Sequence, residues 1–160
     1  MGCDIHPAIQ VNEAGSRDGA SPVWINRMVP NDNRNYLFFG TLAGIRNDTL
    51  KCIVPQRGYP PHSGEQENEW TSPSNLLKWV DGEHSASYFT LAEAKAYVKN
   101  YLCERAPEEV LDLDIDVDTF AALCERWLSW IEDMEYCKKF FWLPEYATDD
   151  NVRVVFNFDS

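Results

Sequence analysis

The spacing of apolar residues changes along the chain, from alternation to a helical repeat and back to alternation. Apolar side chains fall at even spacing in segments 3–12 and 152–158, which is typical of β-strands because successive side chains point to opposite faces. Between Phe120 and Met134 they recur every three or four positions, as on one face of an α-helix. Strands and helices do not follow one another in strict alternation. This order predicts an α+β fold, with a largely antiparallel sheet packed against several helices.

The first part of the chain predicts a hairpin, a helix and a further strand. Segments 3–12 and 23–29 are the hairpin strands, and Pro7 places the first of them near a sheet edge because proline has no N–H to donate. Helical spacing predicts a helix over 36–45, although two glycines weaken it. The short apolar run at 50–54 predicts another strand.

A long loop and more helices are predicted next. Segment 55–69 holds three prolines and two glycines and is predicted to be a loop, and loops of this length are more often functional than accidental. Segment 72–80 is a candidate short helix. The residues from Thr90 to Glu93 form a capping box, in which a hydroxyl and a carboxylate satisfy free N–H groups. A helix is therefore predicted to begin after Thr90.

Composition and length favour one globular domain. The chain has 160 residues, of which 44% are hydrophobic and 25% charged, and this balance excludes disordered and collagen-like proteins. It contains no apolar run of about 18 residues and opens without a signal-peptide pattern, so no membrane association and a cytoplasmic location are expected. We expect residues 1–160 to form a single domain, within which residues 103–141 are an acidic helical segment.

The charge of the chain limits its partners. Fourteen Lys and Arg against 26 Asp and Glu give a net charge of −12, which argues against non-specific binding to nucleic acids. Between Glu104 and Glu135 there are 11 acids and 2 bases. This segment is a candidate surface for a basic host protein.

Cysteine spacing and acidic spacing argue against metal sites. The five cysteines form no CxxC pair, and their odd number leaves one unpaired in any disulfide scheme, so we expect reduced thiols. The alternating aspartates of segment 112–118 lack the glycine that a calcium loop needs, because Thr119 stands there when the loop starts at Asp114. No metal ligand is predicted, and no cofactor is identified.

Four short polar clusters hold residues capable of chemistry, and the first is at the start of the chain. Asp4 and His6 share one face of the predicted strand, whereas Cys3 faces the opposite way. An aspartate and a histidine on one face can form a metal half-site, an oriented general base or a structural hydrogen bond. Cys3 is not predicted to be a nucleophile, since a thiolate needs a base or a positive field beside it.

The second cluster opens the predicted helix over 36–45, and the third lies in the long loop. Arg34, Asn35 and Tyr36 stand where free N–H groups favour anions. In the loop, Gly58 permits a tight turn that would present Arg57. Surface charges around a buried helix and an ordinary ordered loop are the alternative explanations.

The fourth cluster precedes the capping box. Segment 84–88 places the imidazole of His84 and two hydroxyls, including that of Ser87, beside Tyr88 at a helix entrance that attracts negative charge. A hydroxyl cap with a solvent-facing histidine explains it equally well. The phosphate-binding and nucleophile motifs GxGxxG, the Walker loop, GxSxG and HExxH are all absent from the sequence.

Together these segments resemble a group of small bacteriophage and prophage proteins that begin with MGCDIH. The residues that carry the resemblance are Met1 to His6 and segments 34–40, 42–46, 55–60 and 84–90. The acidic helical segment lies outside it. The resemblance implies a phage accessory protein whose shared site is formed by the four clusters, and it implies no particular reaction.

A site built from these clusters suits a nucleotide or another phosphorylated small molecule, because arginine binds phosphate, aromatic rings stack on bases and imidazoles transfer protons. The leading hypothesis is a phage accessory enzyme with an anti-defence role, which cleaves a phosphodiester or related bond. His6 and His84 are its predicted acid and base, and Asp4 orients one imidazole. The predicted ligand-binding residues are Arg34, Asn35, Tyr36, Arg57, Gly58, Ser87 and Tyr88.

Two other functions fit the same sequence. A non-catalytic sponge would sequester a nucleotide immune messenger in the same pocket. An acidic inhibitor would instead present the segment from Glu104 to Glu135 to a host protein. The sequence leaves these three functions, the ligand and the oligomeric state open.

Overall fold

Four strands form one antiparallel sheet in the computed structural model, which describes residues 2–13, 22–46, 49–60, 84–103, 110, 112 and 114–159. The strands are β1 (Asp4–Asn12), β2 (Trp24–Met28), β3 (His84–Thr90) and β4 (Val152–Asp159). Their order in the sheet is β2-β1-β4-β3, so β1 and β4 are the inner strands. The predicted α+β fold with an antiparallel sheet is confirmed.

The described residues form three α-helices, which are α1 (Tyr36–Ala43), α2 (Leu91–Tyr97) and α3 (Val117–Cys137). α2 continues into a π-helical turn, Val98–Leu102. Short 3₁₀ helices lead from α3 to β4 at Lys138–Phe140, Pro144–Tyr146 and Asp149–Asn151. None of the helices in this part of the chain is both long and apolar enough to cross a membrane.

Side-chain caps determine where two of the helices begin. Asn35 starts α1 by accepting a hydrogen bond from the Phe38 amide at 3.0 Å, and the helix ends at Gly44, whose φ of 70° favours glycine. The predicted capping box starts α2. The Thr90 hydroxyl accepts from the Glu93 amide at 3.2 Å, and the Glu93 carboxylate accepts from the Thr90 amide at 2.9 Å.

One face of the sheet is apolar and packs against the helices. The ring of Phe38 in α1 meets Trp127 and Trp130 of α3 edge-on, with centroids 5.2 and 4.7 Å apart. The Trp127 indole N–H donates to the Thr41 hydroxyl at 3.0 Å, so burial leaves its polar atom satisfied. A single hydrophobic core joins the sheet and all three helices.

The opposite face of the sheet is polar but also largely buried. Gln10 and Arg153 are at most 4% exposed, and the Arg153 Nε–H donates to the Gln10 side-chain carbonyl at 2.9 Å. The Arg153 guanidinium lies over the Trp24 ring, 3.8 Å from its centroid. Burial lowers the pKa of Arg153 to about 9, so the group remains charged at neutral pH. This face is therefore held by hydrogen bonds and ring contacts.

The prediction that the first strand lies at a sheet edge is wrong. β1 pairs with β4 from Asp4 to Val11 and with β2 at residues 9–12. Within the described part of the chain, Pro7 therefore has a strand on one side only. Its missing N–H is tolerated for the predicted reason, but the strand as a whole is internal.

The predicted strand at 50–54 is also wrong. This segment consists of bends and irregular chain, and the Ile53 amide donates to the Thr41 carbonyl at 2.8 Å. Its apolar residues Leu50 and Val54 are buried by packing rather than by pairing in a sheet. The predicted helix at 72–80 lies outside the described residues.

Candidate functional site

The end of β4 brings the first and fourth polar clusters together. Asp159 is the register partner of Asp4 in β1, and Phe158 is the register partner of His84 in β3. Because β4 lies between β1 and β3, their chemically capable residues meet at one end of the sheet. We name this group the His–Asp cluster and define it as Asp4, His6, Arg34, His84 and Asp159.

His6 and Asp159 form a carboxylate–imidazole pair. The His6 Nε2 lies 3.1 Å from the Asp159 Oδ2, and the Asp4 amide donates to the Asp159 Oδ1 at 3.1 Å. Partial burial opposes ionisation of Asp159, but these two hydrogen bonds and the charges of His6 and His84 lower its pKa. Asp159 is thus ionised at neutral pH, and a proton on Nε2 leaves Nδ1 of His6 as the basic nitrogen.

His84 lies at the same end of the sheet, where it pairs with Phe158, and its charge contributes to the lowered pKa of Asp159. Its ring lies nearly parallel to that of Phe158, with centroids 6.2 Å apart, whereas His6 shares the polar face with Asn157. The His84 Nδ1 is 3.0 Å from the Ser85 hydroxyl. A bulge after His84, where Ser85 has a φ of 56°, shifts the register of β3 and turns this end of the strand.

The Asp4 carboxylate binds Arg34, and none of the hydrogen bonds described for Asp4 involves an imidazole. The Arg34 Nε and a terminal nitrogen donate to the Asp4 Oδ1 at 2.9 and 2.5 Å, and these bonds raise the pKa of Arg34. The guanidinium packs on the backbone of Gly2, where an added Cβ would lie 2.6 Å from its carbon. Arg34 is 46% exposed, so it remains accessible to an anion.

The other residues of the second cluster have different positions. Asn35 is occupied as the cap of α1, and its side chain accepts from the Phe38 amide. Tyr36 is 37% exposed and lies beside Arg34, since its hydroxyl contributes to the raised pKa of that guanidinium. The structure therefore places Tyr36 next to the His–Asp cluster and gives Asn35 a structural contact.

Arg57 lies apart from the two histidines, at the start of α2. Its guanidinium forms two hydrogen bonds with the Glu93 carboxylate, at 2.7 and 2.9 Å, and a third with the Tyr88 carbonyl. The bond to Glu93 is the main cause of the raised pKa of Arg57. The central carbon of the Arg57 guanidinium also lies 5.1 Å from the centre of the Tyr88 ring. A phosphate bound here would compete with Glu93.

The loop that carries Arg57 comes near the His–Asp cluster through a different residue, Tyr59. The Gly58 amide donates to the Ala86 carbonyl at 2.9 Å, and the buried Ser87 hydroxyl accepts from the Arg57 amide at 3.1 Å. The φ of Gly58 is 74°, as the predicted tight turn requires. The Tyr59 hydroxyl accepts from the Asn157 side chain at 3.0 Å. Tyr59 therefore contacts Asn157, the register partner of His6.

A cleft of about 490 Å³ lies between the chain around Arg57 and α2. Its walls include the rings of Tyr97 and Tyr101, with Arg57 and Glu93 also in its lining. Neither histidine of the His–Asp cluster lines it. This cleft and the His–Asp cluster are thus separate features of the described structure.

Cys3 lies on the opposite side of β1 from Asp4 and His6. It is 1% exposed within the hydrophobic core, and burial raises the pKa of its thiol. Cys103, Cys124 and the other described cysteines are free thiols. Within the described ranges, no three His, Cys, Asp or Glu side chains are grouped as ligands for a metal ion.

Asp159 is the site residue that the sequence did not predict. It ends a strand in which apolar residues alternate. An ionisable residue at the end of a strand does not indicate a functional site unless the pairing register of that strand is known. The chain matches no protein-family model, no curated protein and no solved structure. The chemistry of the His–Asp cluster is therefore the basis on which its function is inferred.

Proposed function

We propose that the protein is a hydrolase that cleaves a phosphodiester or related bond in a nucleotide-type small molecule. The observation that carries the proposal is the His6–Asp159 pair beside the half-exposed Arg34, at the end of the sheet where His84 begins β3. Two imidazoles and a guanidinium supply a base, an acid and a charge for phosphate.

The reaction requires one proton acceptor and one proton donor. His6, oriented by Asp159, removes a proton from the attacking hydroxyl or water as its oxygen bonds to phosphorus. The bond from phosphorus to the leaving oxygen breaks, and protonated His84 gives that oxygen a proton. Arg34 stabilises the negative charge on the remaining phosphate oxygens. His6 ends protonated beside the negative Asp159, and His84 ends neutral.

A small anionic substrate is consistent with the distribution of charge. A net charge of −12 opposes the approach of long polyanions, whereas a single phosphate needs only the local charge of Arg34. Tyr36 and Tyr59 are 37% and 39% exposed near this end of the sheet and offer rings for a base. The resemblance to phage proteins favours a cytoplasmic role in infection. The substrate class that we propose for such a role is a nucleotide messenger of host defence.

The proposal is tested by incubating the protein with a panel of cyclic and linear nucleotides and identifying retained ligands and products by mass spectrometry. Asp159→Asn should lower the rate because the imidazole of His6 loses its carboxylate partner. Asp149→Asn is the matched control, since the side chains of Asp159 and Asp149 are 28% and 32% exposed and Asp149 pairs with lysines. Equal rates in both variants, or no product with any nucleotide, would contradict the proposal.

Sequestration without cleavage is the second candidate, and the cleft beside Arg57 favours it. That cleft has aromatic walls and a guanidinium but no histidine. A sponge would bind a nucleotide tightly and return it unchanged. Arg57→Ala would then weaken binding, whereas His84→Ala would leave binding intact.

A further inference from the structure

α3 carries two apolar stripes, and the fold buries only one of them completely. The buried stripe consists of Leu123, Trp127, Trp130, Met134 and Cys137. A second apolar stripe lies about one residue further along the sequence, and its members also recur every three or four residues. We name it the outer stripe and define it as Val117, Ala121, Cys124, Leu128 and Ile131.

The outer stripe is accessible to solvent at Val117 and Leu128. Val117 is 80% exposed and Leu128 is 55% exposed, while Cys124 and Ile131 are half-buried. A displacement of one residue turns the helix by about 100°, so this stripe runs along the side of α3 next to the core. Its repeat is that of a helix–helix seam, and it extends over about 21 Å. A partner helix of about four turns would cover it.

A row of carboxylates follows one edge of the outer stripe. Asp118, Glu125 and Glu132 recur at seven-residue intervals, and all three are exposed. Burial and the charge of Glu132 raise the pKa of Asp133, in keeping with a negative environment there. The nearby cation Arg126 donates to two carbonyls of the loop before α1 and is directed away from this row.

We propose that the outer stripe is a docking surface for a basic amphipathic helix of another protein. Leucine-type side chains of that helix would cover Leu128 and Val117, and its lysines or arginines would face the carboxylate row. This surface is distinct from the His–Asp cluster, so the proposal does not depend on the hydrolase function.

Charge disfavours the other occupants of an apolar helix face. A second copy packed antiparallel about the midpoint between Leu128 and Ser129 would place Glu125 of one molecule opposite Glu132 of the other, where like charges repel. A parallel copy would align the two carboxylate rows. Anionic lipid and nucleic acid would meet the same row and be repelled.

Two synthetic peptides test the proposal with the intact protein. Both are helical with leucines at three- and four-residue spacing, but one has lysines beside the leucines and the other has glutamates. Fluorescence anisotropy should show binding of the basic peptide alone, weakened by added salt. Leu128→Ala and the double variant Glu125→Lys, Glu132→Lys should each weaken binding about tenfold or more.

Trp142→Ala is the matched control, because Trp142 is 87% exposed and lies outside the outer stripe. It should leave binding unchanged, and circular dichroism should show that every variant is folded. The proposal is overturned if the basic peptide does not bind, if both peptides bind equally, or if the stripe variants bind like wild type. A dimer detected by sedimentation and lost in Leu128→Ala would assign the surface to a second copy instead.

Discussion

Two groups of paired charges lie at the two ends of β4, and only one of them contains imidazoles. At the beginning of β4, Lys95 and Lys138 each pair with both Glu135 and Asp149. We name these four residues the Lys cluster. At the far end of β4 is the His–Asp cluster, in which imidazoles take the place of the lysine ammonium groups.

The Lys cluster is a closed square in which every charge has two opposite partners. Burial opposes ionisation of Glu135 and Asp149, but the bonds from the two lysines lower the pKa of both carboxyls. It joins α2, α3 and the 3₁₀ turn before β4. Lysine and carboxylate pairs exchange no proton near neutral pH, whereas imidazoles do. Under the proposed function, the Lys cluster serves structure and the imidazoles of the His–Asp cluster serve chemistry.

The largest expected effect separates the two clusters by activity. His6→Ala should lower the rate of nucleotide cleavage by about 10²–10⁴-fold, because an acid–base group contributes that much to a rate. Lys138→Met should leave the rate unchanged. Both are measured with the nucleotide that the wild-type protein cleaves. A His6→Ala protein with the wild-type rate would remove His6 from the mechanism.

A smaller effect separates the clusters by stability. Lys138→Met should lower the free energy of unfolding by about 1–2 kcal/mol, since it leaves two partly buried carboxylates with one cation. Lys139→Met is the control, because the exposed Lys139 contacts only the Tyr136 ring among the described residues, and its cost should be within about 0.5 kcal/mol. Urea denaturation measures both. Equal losses would show that the square adds nothing to stability.

Acid should weaken both clusters in the same direction. The folded-state pKa values of Asp159, Glu135 and Asp149 lie below the ordinary range, so the stability they provide is complete above about pH 5 and is lost as the pH falls below about 4. The difference in unfolding free energy between wild type and Asp159→Asn should shrink from pH 5 to pH 3, by less than about 1 kcal/mol. A difference that stays constant with pH would contradict the hydrogen bonds assigned to Asp159.

The smallest effect is expected at Gly2. In Gly2→Ala the new methyl group displaces the flexible guanidinium of Arg34 from Asp4, so the NMR signal of its Nε–H should shift while the unfolding free energy changes by at most about 0.5 kcal/mol. Gly58→Ala is the comparison, since open space surrounds Gly58 but its φ is positive. That strain should cost about 1 kcal/mol. An unshifted Arg34 signal would show that Gly2 does not position it.

Local sequence rules predicted the secondary-structure elements better than they predicted which elements lie next to one another. Alternation and capping located β1, β4 and the start of α2, because each depends on residues close together in the chain. The edge position inferred from Pro7 was wrong since the rule applies to the proline and not to the whole strand. The apolar run at 50–54 was assigned to a strand because a short buried segment has the same composition whether it pairs or packs.

The candidate site shows the same limit. Asp4 and His6 share a face, as alternation predicted, and Arg34 and His84 lie at the same end of the sheet. The carboxylate beside His6 comes from Asp159, which is 153 residues away in sequence, and no local pattern reports such a contact. The loop of Arg57 approaches the site through Tyr59, whereas the Arg57 guanidinium binds Glu93. The catalytic and ligand-binding roles remain predictions.

The pairing of β1 with β4 also affects when the molecule can assemble during its synthesis. At about 5–20 residues per second, the ribosome adds Asp159 roughly 8–30 seconds after His6. Until β4 has been made, β1 has only β2 as a neighbour among the described strands, and β3 has none. Contacts this distant in sequence fold slowly. A nascent chain that stops short of β4 therefore exposes an unpaired strand to chaperones and proteases, and it carries no His6–Asp159 pair.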